Sequence, residues 1–274
     1  MSTASSGASA DGAVPVSVVI PCYNAQSTLR RALASVAAQS VSVLEVIAVD
    51  DASTDGTGAL LRELQDQYGP RWLKVVSFER NQGASMARNA GWDAAAGEYV
   101  AFLDADDTWD PAKVALQYRV MCGRPDAALS AHLHTIEAPP SPVGEVRISE
   151  VRPEDLLWRN RFVTPSVMIR RGISVRFRNG QRYMEDHLLW MQLAFAGQKI
   201  LLIELPLATL YKPAFRTTGL SSNLISMERA ELGNYRLLWR EGRIGAGKLA
   251  VLSAWSAAKF VRRLAIVGLT RLSA

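Results

Sequence analysis

Residues 98–107 read EYVAFLDADD, an apolar run that stops in three carboxylates, Asp104, Asp106 and Asp107. Tyr99 to Leu103 form a nearly unbroken apolar row, the pattern of a strand covered on both faces, and such strands belong to parallel sheets. The acids then fall at the strand's carboxyl end. In open α/β sheets ligands bind in the crevice outside those ends, so a D-x-D there turns two carboxylates, one residue apart, toward a common site. Hard oxygens converging in this way suit Mg2+ or Mn2+, which keep waters and bridge to substrate phosphates. A second reading of the same acids is the start of a turn before Trp109-Asp110-Pro111, because D-x-D is short and common.

Working upstream, a strand-then-helix unit recurs. Residues 16–21 (VSVVIP) predict a strand, and STLRRALASVAAQ from Ser27 a helix with Leu29, Ala32, Leu33, Val36 and Ala37 on one face. LEVIAVDD, residues 44–51, again ends a strand in acids, and Asp55 is placed to cap a helix over Thr57–Tyr68. Residues 73–78 predict a third strand, followed by the polar loop ERNQG and a small-residue helix over 84–96. Downstream, Pro111 takes the favoured first position of a helix reaching Met121, and Ala127–Ile136 is a further strand. Such alternation specifies a mostly parallel, Rossmann-like α/β sheet with helices on both faces.

Beyond residue 136 the rhythm changes. Residues 137–151 hold APPSPVG and read as an irregular connector or hairpin. A short helix is expected over 153–160, a strand over 165–170, an amphipathic helix over 184–196 (MEDHLLWMQLAFA) and a strand over 200–211. Glu185 and Asp186 fall in the first turn of that amphipathic helix, where the helix dipole favours acids, so a capping role and a chemical role are both open. A helix follows near Leu224–Arg240. Over 247–273, Lys248, Lys259, Arg262 and Arg263 fall within about 100° of one another when wound at 3.6 residues per turn, while Leu249, Phe260, Leu264 and Val267 gather elsewhere. The charges interrupt the run of about 20 apolar residues that a bilayer crossing needs. Two readings fit this helix: a basic amphipathic helix with Trp255 lying on an anionic membrane surface, or a last helix packed on its own domain.

With 274 residues and 49% hydrophobic content, the chain can bury a sizeable core. Residues 1–14 are expected to be a disordered tail, and the small polar start MSTASSGASADG has no secretory signal pattern. Cys22 and Cys122 lack metal-site spacing and read as reduced thiols of a cytoplasmic protein. The net charge of +5 is modest, and no nucleic-acid partner is expected. From Arg240 onward, however, seven basic residues stand against one acid, Glu241, which inclines that end toward anionic surfaces.

In order along the chain, VSVVIPCYNAQSTLRRALASVAAQS, VIAVDDASTDGT, NQGASMARNAG, GEYVAFLDADD and MEDHLLWMQLAFAG closely resemble family 2 glycosyltransferases of the GT-A fold. The resemblance runs from residue 16 to about residue 211. It implies a catalytic domain over 15–215, with a nucleotide-binding half over 15–125 and an acceptor half over 126–215. A helical, membrane-associating extension over 216–274 would follow. By this resemblance Pro21, with Cys22, Tyr23 and Asn24, lines the nucleotide pocket, and Asp51 accepts the N3–H of uracil, as a carboxylate can. Arg88 is similar to the family arginine that helps hold the nucleotide, with Asn81 and Gly83 shaping its loop. Asp104 and Asp106 match the metal motif, Asp106 as direct ligand and Asp104 reaching ribose or metal, with Asp107 behind them. Asp186 resembles the catalytic base and Glu185 its support.

The activity so implied is inverting transfer from a UDP-sugar, with Mn2+ or Mg2+, to a saccharide acceptor carried on a polyprenyl diphosphate. Its setting would be exopolysaccharide or other cell-surface polysaccharide synthesis at the inner face of the cytoplasmic membrane. Two features depart from the family. No Q-x-x-R-W follows the base, so one sugar per encounter is expected. Where relatives often carry a Tyr-Arg-x-His loop this chain has Tyr211-Lys212-Pro213-Ala214, so Lys212 or Arg216 would stand in for the histidine. Thr164-Pro165-Ser166 either shapes the acceptor pocket or simply begins a strand. A nucleotidyltransferase would also set acids on a parallel sheet, but it should open with a glycine-rich basic loop, and VIPCYNAQ is neither. A non-catalytic sugar-nucleotide-binding protein would have lost the metal acids or the base, and all are present.

Overall fold

The fold is described from a computed structural model, over residues 12–138, 145–211 and 223–272. Strands β1 (Val14–Cys22), β2 (Val43–Asp50), β3 (Leu73–Ser77) and β4 (Tyr99–Phe102) are joined by helices α1 (Leu29–Ala37), α2 (Thr57–Tyr68) and α3 (Ala84–Ala94). They lie in the order β3-β2-β1-β4 with every pairing parallel. The chain moves outward from β1 to β3 and then returns to β1's other side as β4. That reversal leaves a crevice at the carboxyl ends of β1 and β4, the switch point where open α/β sheets bind ligands.

The deciding strand serves two cores at once. Tyr99, Ala101 and Leu103 enter one hydrophobic cluster and Val100 and Phe102 the other, as the two-residue period of a strand requires. The first cluster is completed by Leu29 of α1 and Leu61 of α2, the second by Ala87 of α3. All five strand residues are buried, so Asp104 is the first position after Tyr99 that reaches the crevice with a charge.

The remainder comprises β5 (Thr108–Trp109), α4 (Lys113–Gly123), β6 (Ala127–Ile136), β7 (Ile148–Glu150), α5 (Pro153–Trp158), a 3-10 turn (Thr164–Ser166), β8 (Met168–Arg170), α6 (Glu185–Phe195), β9 (Lys199–Leu210), α7 (Leu224–Arg240) and α8 (Ala246–Leu272). Past β4 the sheet continues β8-β6-β9-β5, with β7 also on β9. Only β6 and β9 pair in parallel here; the other pairings of this half are antiparallel. The expected α/β sheet with helices on both faces is therefore fully parallel in its first half and mixed in its second.

Several local expectations shift for identifiable reasons. Pro111 precedes α4 instead of opening it, because Thr108 and Trp109 pair with Thr209 and Ala208 and keep the chain extended. Asp110 then accepts the Ala112 N–H at 2.8 Å and turns the chain into the helix. The strand expected over 165–170 begins as the 3-10 turn, which Ser166 Oγ closes by donating to the Val163 carbonyl at 2.7 Å. The helix expected to be amphipathic, α6, is buried almost all round, with only Asp186, Gln192 and Phe195 outside its buried set. The connector over 137–151 contributes β7; its residues 139–144 lie outside the described residues.

Helices α7 and α8 extend the second core, since Tyr235, Leu238 and Leu252 share a cluster with Leu157, Phe162 and Trp190. This packing reverses part of the basic stripe expected on α8. Lys259 Nζ lies 2.5 Å from Glu231 Oε1, and Arg263 approaches the other oxygen at 4.0 Å. A buried carboxylate needs such counter-charge. The outward side of α8 instead carries Val251, Trp255, Val261 and Leu264. No helix among the described residues is long and apolar enough to cross a membrane.

Helix α3 can lie close on β1 because Gly91 has no side chain. A Cβ there would stand 2.4 Å from Val19 Cγ1. Gly91→Ala should therefore cost about 1–3 kcal/mol of stability in urea unfolding, as overpacking does. By contrast, Gly233→Ala on α7 meets nothing within 4 Å and should gain up to about 1 kcal/mol from helix propensity.

Candidate active site

The crevice is a cleft of about 610 Å3 whose lining includes Pro21, Tyr23, Asp51, Arg88, Asp104, Asp106, Glu185 and Asp186. Eight of the side chains singled out in the sequence thus meet in one place. They come from the ends of β1, β2 and β4, from α3, and from the first turn of α6. Asn81 stands behind this lining, and Lys212 and Arg216 lie outside the described residues.

Asp51 organises the donor-side loop. Its Oδ1 accepts the Gln82 N–H at 2.6 Å and its Oδ2 the Gly83 N–H at 2.8 Å, while Asn81 Nδ2 donates to its backbone carbonyl at 3.3 Å. Gly83 has φ +89°, a conformation that glycine adopts at little cost. Each carboxylate oxygen keeps a second lone pair for a donor in the cleft. Asp107, for its part, accepts the Tyr211 N–H at 3.3 Å and so fastens the end of β9 beside the D-x-D.

At the centre Arg88 reaches both walls. Its Nη2 lies 2.8 Å from Asp104 Oδ1 and its Nη1 2.9 Å from Glu185 Oε1. Burial alone would lower the guanidinium's pKa, but the charges of Asp104 and Glu185 outweigh it and leave the pKa raised. Glu185 behaves oppositely. Burial pushes its carboxyl up from 4.5 to about 7, a rise that Arg88 opposes and the neighbouring Asp186 charge assists.

Asp186 has a more open setting. Its Oδ1 accepts the His187 N–H at 2.6 Å, and its Oδ2 accepts from Asn160 Nδ2 at 3.2 Å. The capping role foreseen for this first turn is therefore real, and the same carboxylate still lines the cleft. The turn before it is unusual, because Met184 adopts a left-handed φ of 54°, a region that costs a non-glycine residue free energy. Asn234 of α7 holds it there by donating to the Met184 carbonyl at 2.9 Å. Thr164 and Pro165 line the cleft as the acceptor-pocket reading requires, although they form a turn instead of a strand.

Three supporting residues escaped the sequence reading. Arg31 donates to the Asp106 carbonyl at 2.7 Å and stacks 3.5 Å over the Tyr211 ring. Asn160 donates to Asp186 itself, and Asn234 to the carbonyl of Met184, which opens the same helix. Only Asn234 left a signal, as an amide on the buried face of a helix; Arg31 and Asn160 look like ordinary surface polar residues in sequence.

Asp104 and Asp106 offer two hard oxygen donors at the cleft, a set that suits Mg2+ or Mn2+ completing its shell on water and a diphosphate. Among the described residues no group of three or more His, Cys, Asp or Glu gathers to hold a metal.

Residues 17–180, more than half of the chain, match the family described as Glycosyl transferase family 2. The chain is 28% identical over 241 residues to the Amylovoran biosynthesis glycosyltransferase AmsB of Erwinia amylovora, a match covering 82% of this chain and 76% of that one. It is 35% identical over 106 residues to the UDP-Glc:alpha-D-GlcNAc-diphosphoundecaprenol beta-1,3-glucosyltransferase WfgD of Escherichia coli, covering 39% and 40% of the two chains. The solved structure of the mannosyltransferase PcManGT from Pyrobaculum calidifontis in complex with GDP-Man and Mn2+ shares the fold. It superposes with TM-score 0.63 at 20% identity over 95% of this chain and 81% of that one. Over four of its curated relatives the chain spans between 30% and 42% of their length.

The raised carboxyl of Glu185 gives a signed pH effect. Between 4.5 and about 7 the folded chain keeps a proton on Glu185 that the unfolded chain has released, so this group's contribution to stability falls as pH rises through that window. Glu185→Gln removes the effect. Thermal midpoints should shift in favour of the Gln variant between pH 4.5 and 7 and run parallel above it; a constant difference throughout would contradict the assignment.

Proposed function

The chain belongs to glycosyl transferase family 2, and from that premise we infer that it is an inverting, metal-dependent enzyme that moves a sugar from a UDP-sugar onto a saccharide hydroxyl. The reading is carried by the meeting of Asp104 and Asp106, at the end of β4, with Asp186, at the start of α6, in one cleft. Asp51 supports uridine as the base, and the WfgD relative is named for UDP-Glc; the GDP-Man bound by PcManGT makes the donor nucleotide the first point to test.

The acids divide the chemistry between two walls. A divalent ion held by Asp104 and Asp106 would act as a Lewis acid toward the departing diphosphate. Arg88 keeps Asp104 in place and adds fixed positive charge beside it. On the opposite wall Asp186, oriented by Asn160, takes the proton from the acceptor hydroxyl. Attack from the face away from the diphosphate inverts the anomeric centre, and a single base suffices. Glu185 is paired with Arg88, whose charge favours its ionised form while burial opposes it, and that pairing leaves base work to Asp186.

The acceptor side is a saccharide of cell-surface polysaccharide synthesis carried on a lipid diphosphate at the inner face of the cytoplasmic membrane. Relatives named for amylovoran biosynthesis and for a diphosphoundecaprenol acceptor support that setting. The outward apolar side of α8 with Trp255 supports membrane contact better than the basic stripe does, since Lys259 and Arg263 are turned toward Glu231.

Stabilisation by nucleotides tests the donor, since a ligand that binds only the folded chain raises its thermal midpoint. UDP with Mn2+ should do so more than UDP alone or GDP with Mn2+; a preference for GDP would overturn the uridine assignment. Asp106→Asn should abolish the metal-dependent part of both this shift and turnover. Asp186→Asn should lower kcat by about 10^2–10^4-fold, the usual worth of a general base, with nucleotide stabilisation kept. Equal loss of both would make Asp186 structural.

A further inference from the structure

A second concavity, about 520 Å3 in volume, lies between the end of α5 and α8, lined by residues that include Trp158, Arg159, Arg161, Trp255, Ala258 and Arg262. Its wall is aromatic. The rings of Trp158 and Trp255 meet edge to face with centroids 6.2 Å apart, yet the two residues stay 41% and 47% exposed. Tryptophan is enriched where one end of a contact is apolar and the other wet.

The rim of the groove is basic. Arg159, Arg161, Lys259 and Arg262 face a single acid, Asp155, which is already paired with Arg152 at 3.1 Å. Lys259 is committed to Glu231. Three guanidiniums therefore remain, and among the described residues Arg159 and Arg262 have no hydrogen-bond or ion-pair partner. Planar guanidinium groups suit phosphate oxygens in bidentate contact. The outward apolar residues Val251, Val261 and Leu264 continue along the same helix.

The groove also adjoins the cleft through one segment of chain. Arg159 and Arg161 line the groove, while Asn160 between them lines the cleft and holds Asp186. With successive Cα atoms about 3.8 Å apart, these two arginines are the immediate chain neighbours of the residue that positions the base. An apolar wall and a phosphate-binding rim, on the chain segment that also supplies Asn160 to the cleft, match the order of parts in a lipid diphosphate saccharide.

We propose that this groove binds the diphosphate and the first prenyl units of a lipid-linked acceptor, Arg159, Arg161 and Arg262 taking the phosphates and Trp158 and Trp255 the chain. The site rests on the glycosyl-transfer reading above and adds to it the part of the acceptor that is recognised away from the reacting hydroxyl.

Farnesyl diphosphate tests the site on the full chain through tryptophan emission, with EDTA present so that no metal can hold a diphosphate in the cleft. It should bind at least tenfold tighter than either pyrophosphate or farnesol and be indifferent to saturating UDP. The double variant Arg159→Gln/Arg262→Gln, altered only at exposed side chains, should lose at least tenfold in that affinity with its thermal midpoint and its UDP–Mn2+ stabilisation unchanged. Equal affinity in the variant, or displacement by UDP, would overturn the proposal. So would phosphatidylglycerol vesicles whose binding, and not that of farnesyl diphosphate, is lost in the variant, since the groove would then read bulk lipid headgroups. Absence of UDP–Mn2+ stabilisation in the unaltered chain counts against the donor reading, whereas absence of farnesyl diphosphate selectivity with that stabilisation intact counts against the groove alone.

Discussion

Arg88 spans the molecule's working gap with one guanidinium, 2.8 Å from Asp104 on one wall and 2.9 Å from Glu185 on the other. The two acids are eighty-one positions apart in sequence, one just past the end of β4 and the other in the first turn of α6. Their distance is fixed by a single buried group. A buried charge stripped of one partner is costly, typically by about 3–5 kcal/mol, so neither wall can move freely away. The approach of α3 to β1, which Gly91 permits, sets where that group stands.

Around this bridge the polar groups form graded surroundings. Asp104 and Asp106 face the cleft from the end of a fully buried strand; Glu185 is buried, with its charge disfavoured; Asp186, one residue on, is held by an amide on one oxygen and a backbone N–H on the other. Adjacent carboxylates in unlike settings can take unlike roles. The left-handed Met184 places both at the helix start, and α7 secures that turn through Asn234. The C-terminal helices thereby reach the chemistry, and α7 also adds Met227 to the cleft lining.

Much of this was legible in the sequence because it is local. The apolar row ending in Asp104 declares a doubly buried strand, and α7 falls where its period places it, at Leu224–Arg240. Motif spacing likewise gathered Pro21, Tyr23, Asp51, Arg88, Asp104, Asp106, Glu185 and Asp186, which share one cleft. What was hidden depends on partners distant in sequence. Pairing of Thr108–Trp109 with β9 displaced the start of α4; burial on several sides removed the expected polar face of α6; and Glu231 drew Lys259 and Arg263 inward. Nor does periodicity single out Asn160 or Arg31, whose roles exist only once α6 and β9 are in place.

The dependence of both walls on Arg88 is tested most directly by a double-mutant cycle in urea unfolding at pH 8, using Asp104→Asn, Glu185→Gln and their combination. Each single change leaves the guanidinium one of its two ion pairs, and the combination leaves it neither. The double variant should therefore lose about 1 kcal/mol or more beyond the sum of the singles, within the range seen for residues sharing a network. Losses that add to within about 0.5 kcal/mol, as for independent sites, would contradict the bridge as the constraint that joins the two halves.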